Sequence, residues 1–363
     1  MELSKIIIKR IKKEGPLSFR DFMEMALYYP KLGYYNSMDA KIGADGDFYT
    51  SANLSASFGA MLARQIEEMW HFLGKKPFKI VEYGAGTGLL CHDILDNLKK
   101  NKTLYAGLCY CIIEKSASMR EIEKKYLSEK VSWYDSIDEI PELNGCVISN
   151  ELIDNFAVHQ VVMEEQLQEV FVDYKNGFEE ILLPAGKILV DYFKTLNVDL
   201  PKGFRTEVNL EAVSWLKDIS RFLVKGYVIT IDYGSISLEL YDNRRSSGTL
   251  LCFHNHQKND NPYQLIGSQD ITTHTNFSAL RQWGLDYGLD CCGMIDQTNF
   301  LLALGIKKYQ NDVLTKPINK AQVKIHETYF NIGLLLSMGM RYKVLIQQKG
   351  IEKKTLTGLK FLN

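Results

Sequence analysis

The sequence predicts an α/β protein: a Rossmann-like sheet with helices on both faces, an N-terminal helical extension and an inserted β-rich segment. Between residues 76 and 310, short apolar strands alternate with amphipathic helices, which implies parallel pairing through crossover connections. The first of those strands runs into three closely spaced glycines that open a helix. Over residues 158–205 the period shifts to strand-like alternation with turns at Asn176-Gly177 and Pro184-Ala185-Gly186, which predicts an insertion on the substrate side.

Taken in order, Met1 to Lys13 places apolar Leu3, Ile6, Ile7, Ile8 and Ile11 among lysines, a first helix with one buried face. The same pattern would suit a transit or membrane-surface helix, but Glu2 and Glu14 and the lack of a small-residue cleavage site argue against that. Ser18 to Leu27 reads as a helix stopped by Pro30 and Gly33, followed by a loop to Ala52 and a helix from Leu54 to Leu73. Residues 1–75 thus form a helical extension with a lid loop. The core then reads as strand Phe78 to Tyr83, helix Leu89 to Lys100, strand Tyr110 to Glu114, helix Ser118 to Leu127, and strands Lys130 to Trp133 and Cys146 to Ser149. After the insertion come helix Leu210 to Val224, strand Tyr227 to Asp232, a polar loop from Ser235 to about Gln269, and helix Phe277 to Tyr287. Cys291 to Ile295 and Phe300 to Gly305 read as strands, and the tail of 311–363 as a helix with one more strand, Arg341 to Ile346.

Bulk properties bound the function. The 363 residues carry 43 Lys and Arg against 44 Asp and Glu, a balance that argues against a nucleic-acid footprint. No apolar run approaches the roughly 18 residues of a membrane span. The seven cysteines are scattered, and neither they nor His254 and His256 stand at metal-ligand spacing, so no metal and no disulfide framework is expected. Reduced thiols suggest a cytoplasmic protein. The apolar insertion is compatible with a homodimer.

The most informative stretch is Val81-Glu82-Tyr83-Gly84-Ala85-Gly86-Thr87-Gly88. Gly84, Gly86 and Gly88 allow a tight turn and a ligand against the backbone at the carboxyl end of the strand. A dinucleotide fingerprint would want Gly or Ala where Leu89 stands. Glu82 would also repel a pyrophosphate by roughly 4 kcal/mol at about 4 Å, against a helix-end attraction of about 0.3–1 kcal/mol. The sign reverses for S-adenosylmethionine, whose ammonium and sulfonium are positive, and that cofactor is the expectation; a nicotinamide oxidoreductase is the rival. Glu114, closing the next strand, suits ribose hydroxyls in either case. Asp135 and Ser136, after the third strand, sit where an adenine amine would be met.

Several ordered stretches resemble one family: Gly15-Pro16-Leu17-Ser18-Phe19, Gly33-Tyr34-Tyr35, Gly46-Asp47-Phe48-Tyr49-Thr50-Ser51, the Glu82 to Gly88 loop, Ser149-Asn150-Glu151-Leu152-Ile153-Asp154, Ile231-Asp232-Tyr233-Gly234, Gln269-Asp270-Ile271-Thr272 with His274, and Met338-Gly339 with Lys343-Val344-Leu345. The chain resembles the MidA-like methyltransferases, relatives of the mitochondrial factor that methylates arginine during assembly of respiratory complex I. The resemblance implies a class I methyltransferase fold, S-adenosyl-L-methionine as cofactor and an arginine-containing segment of a protein as acceptor. A non-catalytic assembly factor retaining that fold is the other alternative. The chain departs from the family in its glycine loop, where many members have Pro and Arg, and in Ile153-Asp154-Asn155-Phe156-Ala157-Val158, where members more often carry a Leu-Asp-Ala-Leu-Pro type of run.

Within that resemblance Asn150, Glu151 and Asp154 follow the fourth strand and would face the methyl group. A carboxylate there can grip a guanidinium bidentately and help localise its attacking lone pair; the same residues would equally make a helix cap with an acidic first turn. Asp47, Tyr49 and Thr50 would fold over the cofactor. Asp232, Asp270, Thr272 and His274 would line the acceptor channel, although Asp270 or Thr272 could simply cap the helix near Phe277.

Overall fold

The computed structural model describes residues 2–37, 50–127, 130–314 and 322–360. Its central sheet contains seven strands: β1 (Phe78–Tyr83), β2 (Leu108–Ile113), β3 (Val131–Tyr134), β4 (Leu143–Asn150), β5 (Leu223–Ser235), β6 (Asp290–Asp296) and β7 (Tyr342–Lys349). They lie in the order β6-β7-β5-β4-β1-β2-β3, with a two-residue strand, Thr275–Asn276, added beside the end of β5. The five strands from β5 to β3 run parallel, and β7 runs antiparallel between β5 and β6. The order reverses between β1 and β4, so the crevice for a ligand opens at their carboxyl ends.

The strands are apolar on both faces because both faces are covered. In β1, Ile80 joins a core built with helices Ala56–Phe72 and Leu89–Leu98, while Val81 points the other way to a core built with Leu210–Phe222 and Phe277–Asp286. This alternation sends Glu82 and Tyr83 to opposite faces at the mouth of the crevice.

The segment after Val158 is a separate antiparallel sheet. His159–Met163, Leu167–Tyr174, Phe178–Pro184 and Arg205–Val208 pair there, and helix Lys187–Thr195 packs on it. Leu17–Ser18 of the N-terminal segment pairs with Leu167–Tyr174. Helix Glu2–Glu14 buries Leu3, Ile7 and Ile11 in a cluster shared with Phe19, Phe22, Val170 and Val172, so its apolar stripe is covered by this chain.

Two sequence expectations change. Phe300 to Gly305 is not a strand: Gln297–Ala303 is a helix, capped by the Asp296 side chain accepting from Asn299 N–H. Phe300, Leu301 and Leu304 are buried at helical spacing, a pattern that a short apolar run cannot distinguish from a strand. The polar loop after Ser235 contains helix Ser237–Leu240 and a hairpin, Leu251–His254 with Gln257–Asn259, to which Asp270–Thr272 adds a third strand. No helix among the described residues is long and apolar enough to cross a membrane.

Candidate active site

A cavity of about 560 Å³ opens over the carboxyl ends of β1, β2 and β4. Thr50, Glu82, Gly84, Gly86, Glu114, Asp135, Ser136, Asn150 and Glu151 all line it. Asp47 and Tyr49 lie outside the described residues.

The glycine loop needs its glycines. Gly84, Gly86 and Gly88 have φ of +64°, +58° and +78°, left-handed values that strain other residues. A Cβ on Gly84 would also stand 2.7 Å from Leu152 Cδ1. Glu82, next to last in β1, is almost fully buried, and Tyr110 Oη donates to its Oε2 at 2.6 Å. Burial pushes the Glu82 carboxyl up to about 7; the Tyr110 hydrogen bond opposes this and the Glu114 charge reinforces it. Glu114 follows β2, accepts from Ser116 N–H at 2.7 Å, and is raised by its burial. Asp135 is largely exposed and pairs with Arg120 at 2.6 Å, while Ser136 Oγ donates to Asp138. Thr50 caps helix Ser51–Leu54 by accepting from Asn53 N–H.

On the β4 side, Glu151 stands at φ +52° and donates its own N–H to Ile231 O at 2.9 Å. Its Oε1 accepts from Ser51 N–H at 2.6 Å and from Asn150 Nδ2 at 3.3 Å, and its Oε2 accepts from Tyr342 Oη at 3.0 Å. Burial raises the Glu151 carboxyl, and these donors oppose the rise. Asn150 Oδ1 is buried with no hydrogen-bond partner among the described residues.

Behind this edge lie three more buried acids. Asp232, on β5, accepts from Ile153 N–H and Asp154 N–H at 2.8 and 3.2 Å, which pins the turn after β4. Burial pushes Asp232 up to about 7. Asp154 is raised well above the carboxylate range by burial and then by the charges of Asp232, Asp270 and Glu151. Its Oδ1 is buried without a hydrogen-bond partner among the described residues. Asp270 accepts from Tyr35 Oη at 3.0 Å. Among the described residues no group of three or more ligand-type side chains could hold a metal ion.

Asp154, Asp232, Asp270, Thr272 and His274 are not among the residues lining the cavity. Thr272 Oγ1 accepts from Tyr233 Oη at 2.6 Å, and His274 packs edge-on to the Tyr233 ring. His274 Nδ1 lies 2.8 Å from Arg245 Nη1. Burial, then the Arg245 charge, lowers its imidazole to about 4, so it is neutral near pH 7. The sequence reading missed Tyr28, Tyr35 and Asn155, which line the cavity, and Tyr342, which holds Glu151. Tyr28 and Tyr35 stack at 5.4 Å, and Asn155 links their hydroxyls. Tyr35 could have been found within Gly33-Tyr34-Tyr35, whereas Tyr342 is 191 positions from its partner and leaves no local signal.

Sheet order, glycine loop and paired acids together define a class I, Rossmann-like methyltransferase site. The family model for S-adenosyl-L-methionine-dependent methyltransferases matches residues 61–295. The chain belongs to this family. It is 25% identical to the mitochondrial protein arginine methyltransferase NDUFAF7 of Danio rerio, over 98% of this chain and 91% of that protein. It is 27% identical to the Caenorhabditis elegans homolog, over 94% and 85% of the two chains. The crystal structure of a superfamily member from Burkholderia thailandensis bound to S-adenosyl-homocysteine superposes with a TM-score of 0.88 at 28% identity, covering 98% of this chain and 94% of that one.

The family makes S-adenosyl-L-methionine the cofactor, in place of the nicotinamide rival. The residues present fit it: Gly84 and Gly86 line the cavity, while Gly88 lies outside it against Leu127, and buried Glu82 suits a cation and opposes a phosphate. The cytoplasmic expectation is overturned, because the NDUFAF7 relatives are mitochondrial proteins. Unpaired cysteines argue only against an oxidising compartment and do not separate one reducing compartment from another.

Proposed function

We propose that this methyltransferase acts on the guanidinium of an arginine in a protein. The observation that carries the reading is the stack of four acids behind the cavity: Glu151 on its wall, with Asp154, Asp232 and Asp270 buried beyond it. Like charges held out of water raise one another's pKa, and each stays ionised only at a cost. A guanidinium entering beside Glu151 would reverse the sign of that interaction, and its planar fork suits a carboxylate bidentately. The NDUFAF7 relatives support the same acceptor.

When bound, the cofactor supplies an electrophilic methyl group. Glu82 and the glycine loop would hold its cationic end, Glu114 its ribose, and Asp135 and Ser136 its base. Glu151 would accept a hydrogen bond from the acceptor nitrogen and keep its lone pair toward the methyl carbon. On transfer of the methyl group to the acceptor nitrogen, Glu151 would take the proton that nitrogen loses. Asp154 would share the positive charge, while Asp232 fixes the turn carrying it. Asp270, through Tyr35, and Thr272 and His274, through Tyr233, would hold the channel wall.

The test is transfer of labelled methyl to proteins of a mitochondrial extract by the full chain, followed by hydrolysis and amino-acid analysis. Methylarginine is expected, and Glu151→Gln should abolish it. Label recovered on lysine, histidine or carboxyl groups would overturn the reading.

A further inference from the structure

The family model spans residues 61–295, yet two of the donors that hold Glu151 come from outside that span. Ser51 N–H reaches Oε1 from the N-terminal extension, and Tyr342 Oη reaches Oε2 from β7. Each carboxylate oxygen therefore has a donor from a different extension. The backbone of Glu151 is left-handed at φ +52°, a conformation a non-glycine residue keeps only when its surroundings dictate it.

Tyr342 is itself set by register. It lies opposite Tyr233 in the antiparallel β5–β7 pairing, and the two rings meet edge to face at 6.0 Å. Tyr233 is tied in turn to Thr272 by its hydroxyl. A slip of one residue in β7 would turn Tyr342 to the opposite face of the sheet and remove its hydroxyl from Glu151. Ser51 is fixed too, since its hydroxyl hydrogen-bonds Gln297 at the start of helix Gln297–Ala303. The carboxylate is thus clamped by elements whose own positions are determined elsewhere.

We infer that Tyr342 is a positioning residue for methyl transfer, holding the Glu151 carboxylate in one orientation and in its ionised form. The inference rests on the reading of Glu151 as the acceptor-binding carboxylate. A phenol donating to a carboxylate favours its charged state, so removing the hydroxyl lets burial drive the proton back on. The ring edge that packs on Tyr233 is kept in phenylalanine, so Tyr342→Phe deletes the donor alone.

The experiment is carbon-13 NMR of the full chain with labelled glutamate carboxyls, the Glu151 signal being assigned by its loss in Glu151→Gln. Tyr342→Phe is expected to move the Glu151 titration midpoint upward by about one unit, a tenfold change in its proton affinity. An unmoved midpoint overturns the inference. In parallel, the variant should lose about tenfold in kcat for methyl transfer while its KM for S-adenosylmethionine stays within about twofold. A wild-type kcat in Tyr342→Phe, with Glu151→Gln inactive, would overturn the positioning role alone. Full activity in Glu151→Gln would instead remove the reading of Glu151 on which it rests.

Discussion

Replacing Glu82 by Gln should separate the charge of this residue from its shape. The native carboxyl titrates near 7 because it is buried, and Tyr110 is its one hydrogen-bond donor among the described residues. From that value the ionised fraction is about 0.09 at pH 6 and about 0.5 at pH 7. If the ionised form is what attracts the cationic donor, affinity for S-adenosylmethionine rises about fivefold across that unit. The ligand ammonium, with a pKa near 8, stays largely charged over the same range. A cation that restores Glu82 to its usual 4.5 would be linked to ionisation by about 3.4 kcal/mol, so Gln should weaken binding by up to about 300-fold at high pH. Isothermal titration at pH 6 and 7 checks this, with 5′-methylthioadenosine, which lacks both positive charges, as the control. The wild type should show a pH slope for the donor and none for the control, and the variant a slope for neither. An equal slope in wild type and variant, or the same slope for the uncharged control, would refute the charge argument. The stability of the empty protein moves the opposite way. A carboxyl raised on folding contributes fully below about pH 4.5, and that contribution is lost as pH rises through 7, so Gln should stabilise the empty protein above pH 7.

Three further outcomes are expected. Glu123 is fully buried, accepts from Trp133 Nε1, and is pushed by burial up to about 8; Glu123→Gln should gain about 4 kcal/mol at pH 7.5 and nothing below pH 4.5, measured by urea unfolding at both values. Gly145→Ala would put a Cβ 1.9 Å from Lys79 O in the neighbouring strand, and should cost about 3 kcal/mol or more, read as a lower urea midpoint. His274 should titrate near 4 by NMR in the native chain and move upward toward its ordinary value of about 6.5 in Arg245→Ala, since the neighbouring cation is one of the two causes of its depression.

The parallel half of the fold was legible because its signals are local. Strand, glycine turn and helix follow one another within residues 78–98, and Glu82, Glu114 and Asp135 each close or follow a strand. Only Glu82 carried enough electrostatic content to discriminate between ligands. What could not be read depends on pairings distant in sequence. Nothing near Tyr342 announces Glu151, and nothing near Asp270 announces Tyr35, 235 positions away. Helix Gln297–Ala303 was misread for a different reason. In Phe300-Leu301-Leu302-Ala303-Leu304 apolar residues fill every position, so no period is visible, and only the Asp296 cap settles the element.

The strand order also shapes how the molecule assembles. β7 follows both of its neighbours in the chain yet sits between them, so β5 and β6 cannot be bridged until residues near 349 have emerged from the ribosome. Until then the flank of β5 carrying Ile229 and Ile231 is an open, apolar template for a foreign strand. A nascent chain halted before β7 would already contain the glycine loop and Glu151. It would lack Tyr342, and with it the hydroxyl that holds Glu151.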